Sequence, residues 1–399
     1  MSHATLGLAV LLVLAGTACH EPPPPPPPPA RPPPPLGAFQ VRAAFPDTVV
    51  DPGGWARDLL AAFADAGLVP DATRVCAVVA VLEQESGFQA DPAVANLGTL
   101  VQTRLREEAE KYGPVGPAAL ERLLARRAPG DRRTFEQRIR RLRTERELDL
   151  LFRDMLESER REHPTMVATA NFLDSMFRGR RLEDLNPVTT AGSMQVSVRW
   201  AMDYARSRGW NDDQQAVRDA LYTRPGGLRF GVPRLWSYPL SDPDVLYRFA
   251  DYNAGQYASR NAAVQRGLAR LTGLQLAADG DLLFFGPDGR PTTEESETLR
   301  AFRAFRERFV PTLPETRLRE DLEKGKELAF EETPSYLALR RVYREQTGSA
   351  LPAAVLPGLE LKSPKLRRGY STAAYARNVL RHHRACLQRL REGSPAPGE

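Results

Sequence analysis

This 399-residue chain lacks the spacings that hold metals and nucleotides: it has no HExxH, no CxxC, no glycine-rich phosphate loop and no Rossmann fingerprint. Zinc hydrolases, dithiol redox enzymes and nucleotide-dependent enzymes therefore drop out as first readings. Histidine is scarce, with five in all. His3 and His20 fall in the N-terminal leader and the segment after it, and His382 and His383 are adjacent in a basic C-terminal stretch. A Ser-His-Asp arrangement would rest on His163, whose setting REHPT reads as a helix end before Pro164. An excess of one charge is also missing, since 55 Lys/Arg against 50 Asp/Glu leave a net charge of +5. That supports a mild attraction to anionic polymers. No recognition helix, zinc finger or aromatic-basic sheet motif adds a case for nucleic acid. What remains is carboxylate chemistry without a cofactor, or no chemistry.

Enough apolar residues are present, at 42%, for a sizeable core. The apolar stretch Leu6 to Ala15 is too short to span a bilayer as a mature helix and reads as the hydrophobic part of an export signal, residues 1–18. Gly16, Thr17 and Ala18 then lead into Cys19, which resembles a bacterial lipoprotein signal with Cys19 as the lipidated residue. It departs from that pattern in having no Lys or Arg before the apolar stretch, and Gly16 where Leu is usual. The resemblance implies a lipid anchor on the periplasmic face of a Gram-negative outer membrane. The other cysteines, Cys76 and Cys386, form an even pair once Cys19 is set aside, either a disulfide or two buried thiols. After Cys19 comes HEPPPPPPPPARPPPPLG, a polyproline II stalk. Its stretch from Pro22 to Pro35 extends roughly 43 Å at about 3.1 Å per residue.

From about Phe39 onward the apolar spacing is helical and period-2 strands are few, so the expected fold is mainly α. Residues 53–68 form one amphipathic helix with Gly67 near its end, and Pro70 and Asp71 open another that carries VCAVVAVL and ends in EQES. From about Val101 to Arg161 the chain is rich in Arg, Glu and Leu and is interrupted at Pro129 and Gly130, which reads as solvated amphipathic helices.

The sharpest chemical feature is EQESGF at residues 83–88. A carboxylic acid kept protonated near neutral pH is made by setting it against an apolar wall. Glu85 has Leu82, Val81 and Val78 behind it at helical spacing and Phe88 ahead, yet Glu83 has Ala80 and Val79 behind it, so periodicity leaves both open. A frayed helix end at Gly87 is a third reading.

VLEQESGFQADPAV, residues 81–94, resembles the first motif of the soluble lytic transglycosylases, in which a catalytic Glu precedes Ser and, shortly after, Phe. Gly192-Ser193-Met194-Gln195 resembles that family's Gly-Leu-Met-Gln, with Ser in place of Leu, and Ala250-Asp251-Tyr252-Asn253-Ala254-Gly255 matches its Ala-x-Tyr-Asn-Ala-Gly. The order is right, with 57 residues from Gln195 to Tyr252. The step from Ser86 to Gly192 is 106 residues, where the family uses a few tens. The resemblance covers about 70–96 and 186–275 and suggests a divergent branch, one catalogued as a domain of unknown function.

The resemblance implies a lysozyme-like helical core over 39–285, with an inserted helical hairpin at about 98–185 and a helical C-terminal region over 286–399. It implies cleavage of the bond between N-acetylmuramic acid and N-acetylglucosamine in peptidoglycan, leaving a 1,6-anhydro end. Glu85 would be the single acid/base. Ser86 and Gln195 would orient the acid and hold sugar, Met194 would form cleft wall, Tyr252 would reach the acid or its substrate, and Asn253 would touch glycan or brace a helix. A hydrolase on the same fold would need a second carboxylate, for which Asp251 is the sequence candidate. A non-catalytic wall-binding lipoprotein is the third reading.

Overall fold

The computed structural model describes residues 33–162, 186–286, 290–358 and 371–393, and the fold is mainly α, with sixteen α-helices among the described residues. The signal segment, Cys19, most of the polyproline stalk and His163 lie outside the described residues. After α1 (Ala38–Ala43), α2 (Pro52–Asp65) starts where the Asp51 carboxylate accepts from the Gly54 N–H at 3.0 Å and Pro52 occupies the first turn. Helix α3 (Ala72–Glu85) is capped the same way, by Asp71 accepting from the Arg74 N–H at 2.9 Å. Every residue from Val75 to Leu82 is fully buried. A helix apolar on all sides is stable only when surrounded. Around α3 pack α10 (Arg224–Trp236) and, along much of its length, the last helix α16 (Thr372–Glu392).

The charged stretch folds as α4 (Leu97–Glu110), α5 (Val115–Ala125), α6 (Phe135–Ile139) and α7 (Glu145–Glu162), with Pro129 and Gly130 between α5 and α6. This differs from the inserted hairpin expected at 98–185. There are four helices among the described residues, and they are not a body apart, because Leu97, Phe135, Ile139, Leu148 and Leu151 join the core around α3. A short antiparallel hairpin follows, β1 (Thr190–Ala191) with β2 (Val196–Ser197). Next come α8 (Val198–Ser207), α9 (Gln214–Leu221), α10, α11 (Val245–Ala254) and α12 (Ala258–Thr272).

A second core begins on α12 and is completed by α13 (Glu297–Phe309), α14 (Glu315–Glu323) and α15 (Pro334–Thr347) around Phe302, Phe305 and Leu339. The boundary expected at 286 therefore does not divide the two cores. Helix α16 returns to the first one through Tyr375, Ala376, Val379, Cys386 and Leu390, spaced to form one stripe that covers α3. Cys76 and Cys386 form a disulfide across this pair of helices, with their Cα atoms 5.4 Å apart. No helix among the described residues is long and apolar enough to cross a membrane.

Candidate active site

Glu85 is the last residue of α3. The helix stops there because Ser86 leaves helical geometry and turns its Oγ back to the Leu82 carbonyl (3.1 Å), while Gly87 and Phe88 both adopt positive φ. Phe88 is thus carried off the helix and packs edge-on against Phe45 and Trp55, at 5.4 and 5.5 Å, and does not extend the stripe behind Glu85. Ser86 is buried and bonded to its own helix, not aimed at the acid.

The Glu85 carboxyl accepts a hydrogen bond from the Tyr375 hydroxyl on α16, at 2.5 Å. Burial pushes its pKa up to about 7, the Tyr375 hydrogen bond pulls the other way, and the nearby Glu145 carboxylate adds to the rise. The residue as a whole is half-buried. A carboxyl half protonated near neutral pH can both give and take a proton. Glu83 faces differently. It pairs with His382 Nδ1 at 2.8 Å and lies 3.7 Å from Arg389, so it braces α3 against α16.

The loop of the β1–β2 hairpin, Gly192 to Gln195, is tied to two neighbours of Glu85, through Gln195 to Glu145 and through the Met194 carbonyl to Tyr252. Gly192 has φ +79, and a Cβ there would lie 2.1 Å from the Leu221 carbonyl oxygen, so glycine is required on both counts. Gln195 also has positive φ, +49, an uncommon conformation for a residue with a side chain and one that clusters at functional sites. Its amide is fixed at both ends. Thr190 Oγ1 donates to Oε1 at 3.0 Å, while Nε2 donates to Glu145 Oε2 at 3.1 Å and to the Gly192 carbonyl at 3.3 Å.

Glu145 was not singled out from the sequence, although TERE at residues 144–147 carries a helix-start signature. Thr144 Oγ1 accepts from the Glu147 N–H, and the Glu147 carboxylate accepts from the Thr144 N–H, both at 3.2 Å. Asp91 accepts from the Thr144 hydroxyl and the Arg146 N–H, and the Val94 N–H donates to the Arg143 carbonyl at 2.7 Å. The segment just after the Glu85 motif thereby holds the start of α7 beside it. One turn on, buried Asp149 accepts from Arg153, Arg218 and Asn186, which locks α7 onto α9.

Tyr252 lies close enough to Glu85 for that carboxylate's charge to push its pKa up further, beyond the effect of burial, but its hydroxyl donates to the Met194 carbonyl at 2.6 Å and not to the acid. Tyr375 makes the bond that Tyr252 was expected to make. The Met194 side chain is fully buried, seated where Gly231 leaves room for its sulfur, so it is core and not cleft wall. Asn253 Oδ1 accepts from Thr372 Oγ1 at 3.0 Å, tying α11 to the start of α16. Asp251 is fully buried and holds the α11–α12 turn by accepting from the Tyr257 N–H (3.0 Å), the Ser259 N–H (2.7 Å) and the Ser259 hydroxyl (2.6 Å). Its oxygens are committed to that turn, and the carboxylate whose charge reaches Glu85 is Glu145. Ser193, where the resembling family has Leu, is buried against Gly227, whose missing Cβ would lie 2.6 Å from Ser193 Oγ. A leucine would not fit there.

Tyr375 too was missed, although the cysteine pair carried a signal. In an antiparallel helix pair stapled at Cys76 and Cys386, the residue nine beyond Cys76 meets the other helix about nine before Cys386, roughly half a turn from Tyr375. Among the described residues no cluster of His, Cys, Asp and Glu could hold a metal ion.

A family model described as "Protein of unknown function (DUF1615)" matches residues 48–389. The chain is 34% identical over 385 residues to a protein of Escherichia coli strain K12 named "Uncharacterized protein YaiW", an alignment covering 96% of this chain and 98% of that relative. No solved structure matches. The matched span takes in every side chain of the site, from Glu85 through Glu145, Gln195 and Tyr252 to Tyr375, and the chain belongs to the DUF1615 family.

Proposed function

We propose that this protein is a peptidoglycan lytic transglycosylase that uses Glu85 as its only acid and base. The observation that carries the reading is the Glu85 carboxyl itself, raised to about 7, fixed by Tyr375 and near the Glu145 carboxylate that Gln195 holds. Protonated, it gives its proton to the glycosidic oxygen between N-acetylmuramic acid and N-acetylglucosamine as that bond breaks. The substrate's own acetamido group stabilises the anomeric carbon, so no second carboxylate is needed. The muramoyl C6 hydroxyl then attacks that carbon and passes its proton to the Glu85 carboxylate, which closes the 1,6-anhydro ring and restores the acid. Tyr375 orients the carboxyl, and the fixed Gln195 amide presents a polar edge to sugar. No cofactor enters. The same reading places the protein at the periplasmic face of an outer membrane, with the lipid on Cys19 and the polyproline stalk setting its distance from the bilayer.

Hydrolysis is a second reading, favoured by one observation: Glu145 lies near Glu85 and is held by Gln195. From there it would take a proton from water attacking the anomeric carbon.

Digestion of purified sacculi with mass spectrometry of the products tests both. Anhydro ends are expected, reducing ends would move the assignment to hydrolysis, and the absence of released fragments would overturn both. Glu85→Gln is expected to abolish release, a loss of 10²-fold or more. Glu83→Gln is expected to retain most of it, and the reverse pattern would overturn the choice of acid.

A further inference from the structure

Next to Tyr252 sits a charge that a neutral glycan does not call for. Arg234, on α10, is half-buried, with its guanidinium carbon 5.6 Å from the Trp200 ring centroid and 6.0 Å from that of Tyr252. Among the described residues it has no carboxylate, carbonyl or hydroxyl partner. Its neighbours are all provided for. Arg224 pairs with Asp51 and Asp58, Arg229 with Asp65, and Arg248 donates to the Leu235 and Tyr238 carbonyls.

The rings around Arg234 are ordered. Trp200 stacks on Tyr204 with their planes 10° apart and centroids 5.1 Å apart, and both remain half-buried, leaving part of this aromatic strip in contact with solvent. Tyr252, the second ring near the guanidinium, also feels the Glu85 charge. A guanidinium offers five donors in a planar fork that matches a carboxylate, and nearby aromatic rings attract that cation and thin the water around it. Held this way without an acceptor, it is prepared for an anion brought from outside.

We propose that Arg234 is the carboxylate-recognition point of this site, binding a free carboxylate of the short peptide that substitutes the muramoyl residue, so that the protein selects peptide-bearing over bare glycan. The inference rests on the glycan-cleaving reading and specifies its substrate class. Trp200 supplies the apolar face beside the peptide, and the Arg234 guanidinium obtains an acceptor that the described residues do not give it.

The test compares wild type, Arg234→Gln and Arg234→Lys on two substrates, peptide-bearing glycan strands and the same strands stripped of peptide by an amidase, with thermal melting to confirm that each variant folds. Wild type is expected to favour peptide-bearing strands in kcat/KM by about 10- to 100-fold, the worth of one charge-assisted contact. Arg234→Gln is expected to collapse that ratio toward one, chiefly through KM, and Arg234→Lys to restore part of it. An unchanged ratio in Arg234→Gln, or no preference in wild type, overturns the inference. Calorimetric titration of Glu85→Gln protein with a disaccharide-peptide and with the bare disaccharide separates this outcome from failure of the catalytic reading. If nothing is cleaved but the peptide-bearing fragment still binds more tightly in an Arg234-dependent way, recognition stands and catalysis falls.

Discussion

At the scale of single residues, Glu83 and Glu85 are two positions apart on one helix, yet their surroundings give them opposite work. Glu83 is met by cationic or proton-donating groups, His382 and Arg389, and Glu85 by a neutral hydroxyl and a second carboxylate. The difference has a consequence for stability that does not depend on any assigned activity. In the unfolded chain the Glu85 carboxyl has its ordinary value of 4.5, and in the folded protein about 7, so between these values the folded state binds more protons. Stability therefore falls as pH rises from about 4.5 to about 7, by at most about 3 kcal/mol for this one group, less in so far as water reaches the half-buried residue and screens the charge. Glu85→Gln removes the ionisation. Denaturant unfolding at pH 4 and pH 8 is expected to show the variant close to wild type at pH 4 and more stable by up to that amount at pH 8. A variant less stable at both pH values would mean that Glu85 is held as a favourable anion, contrary to its surroundings.

At the scale of elements, the helices were legible because their periodicity and punctuation agree. Asp71 starts α3, Gly67 follows α2, and Gly255, at the end of the Tyr-Asn motif, closes α11 with a backbone that has left the helix. The roles of motif residues were less legible, because a motif fixes a backbone shape and does not fix which side chain turns toward the cleft. Met194 and Tyr252 are joined by a bond from the tyrosine hydroxyl to the methionine carbonyl, so what the two motifs preserve here is the seating of the hairpin loop on α11. Ser193 belongs to the same seating. Its contact with Gly227 on α10 leaves no volume for a branched side chain, and restoring the family's leucine by Ser193→Leu is expected to cost about 1–3 kcal/mol of stability through overpacking. Chemical denaturation would measure it. A stabilised Ser193→Leu protein would show that the loop can retreat from α10 and that serine is not there for space.

At the scale of the whole molecule, the site is assembled by helices far apart in the chain. Glu85 and Tyr375 are 290 residues apart, and the disulfide spans 310. The two cysteines, if paired, indicated that the last helix meets α3, but not that this helix, which lies beyond the resembling motifs, supplies the tyrosine that completes the acid's surroundings. That closure is decided by the apolar stripe of α16 and by Glu83, His382 and Arg389 alongside it, which are recognisable as partners only once the helices are set side by side. The staple and the site are thus coupled through the rigid pair α3 and α16, with Cys76–Cys386 toward one end and Glu85–Tyr375 at the other. Replacing both cysteines with serine removes a constraint on a very long loop, worth up to about 5 kcal/mol in the chain-entropy account, and is expected to lower the melting temperature markedly. It is also expected to weaken the Tyr375 hydrogen bond. Since that bond favours the ionised form, its loss sends the Glu85 pKa upward from about 7, in the direction that Tyr375→Phe alone would move it. Titration of labelled glutamate carboxyls by NMR in the double-serine variant, in Tyr375→Phe and in the triple variant reads this directly. If the staple acts through Tyr375, the two single effects overlap in the triple variant and do not add. A double-serine protein that melts early but titrates as wild type does would show that the buried stripe of α16 suffices to hold the tyrosine on the acid, leaving the disulfide a role in stability only.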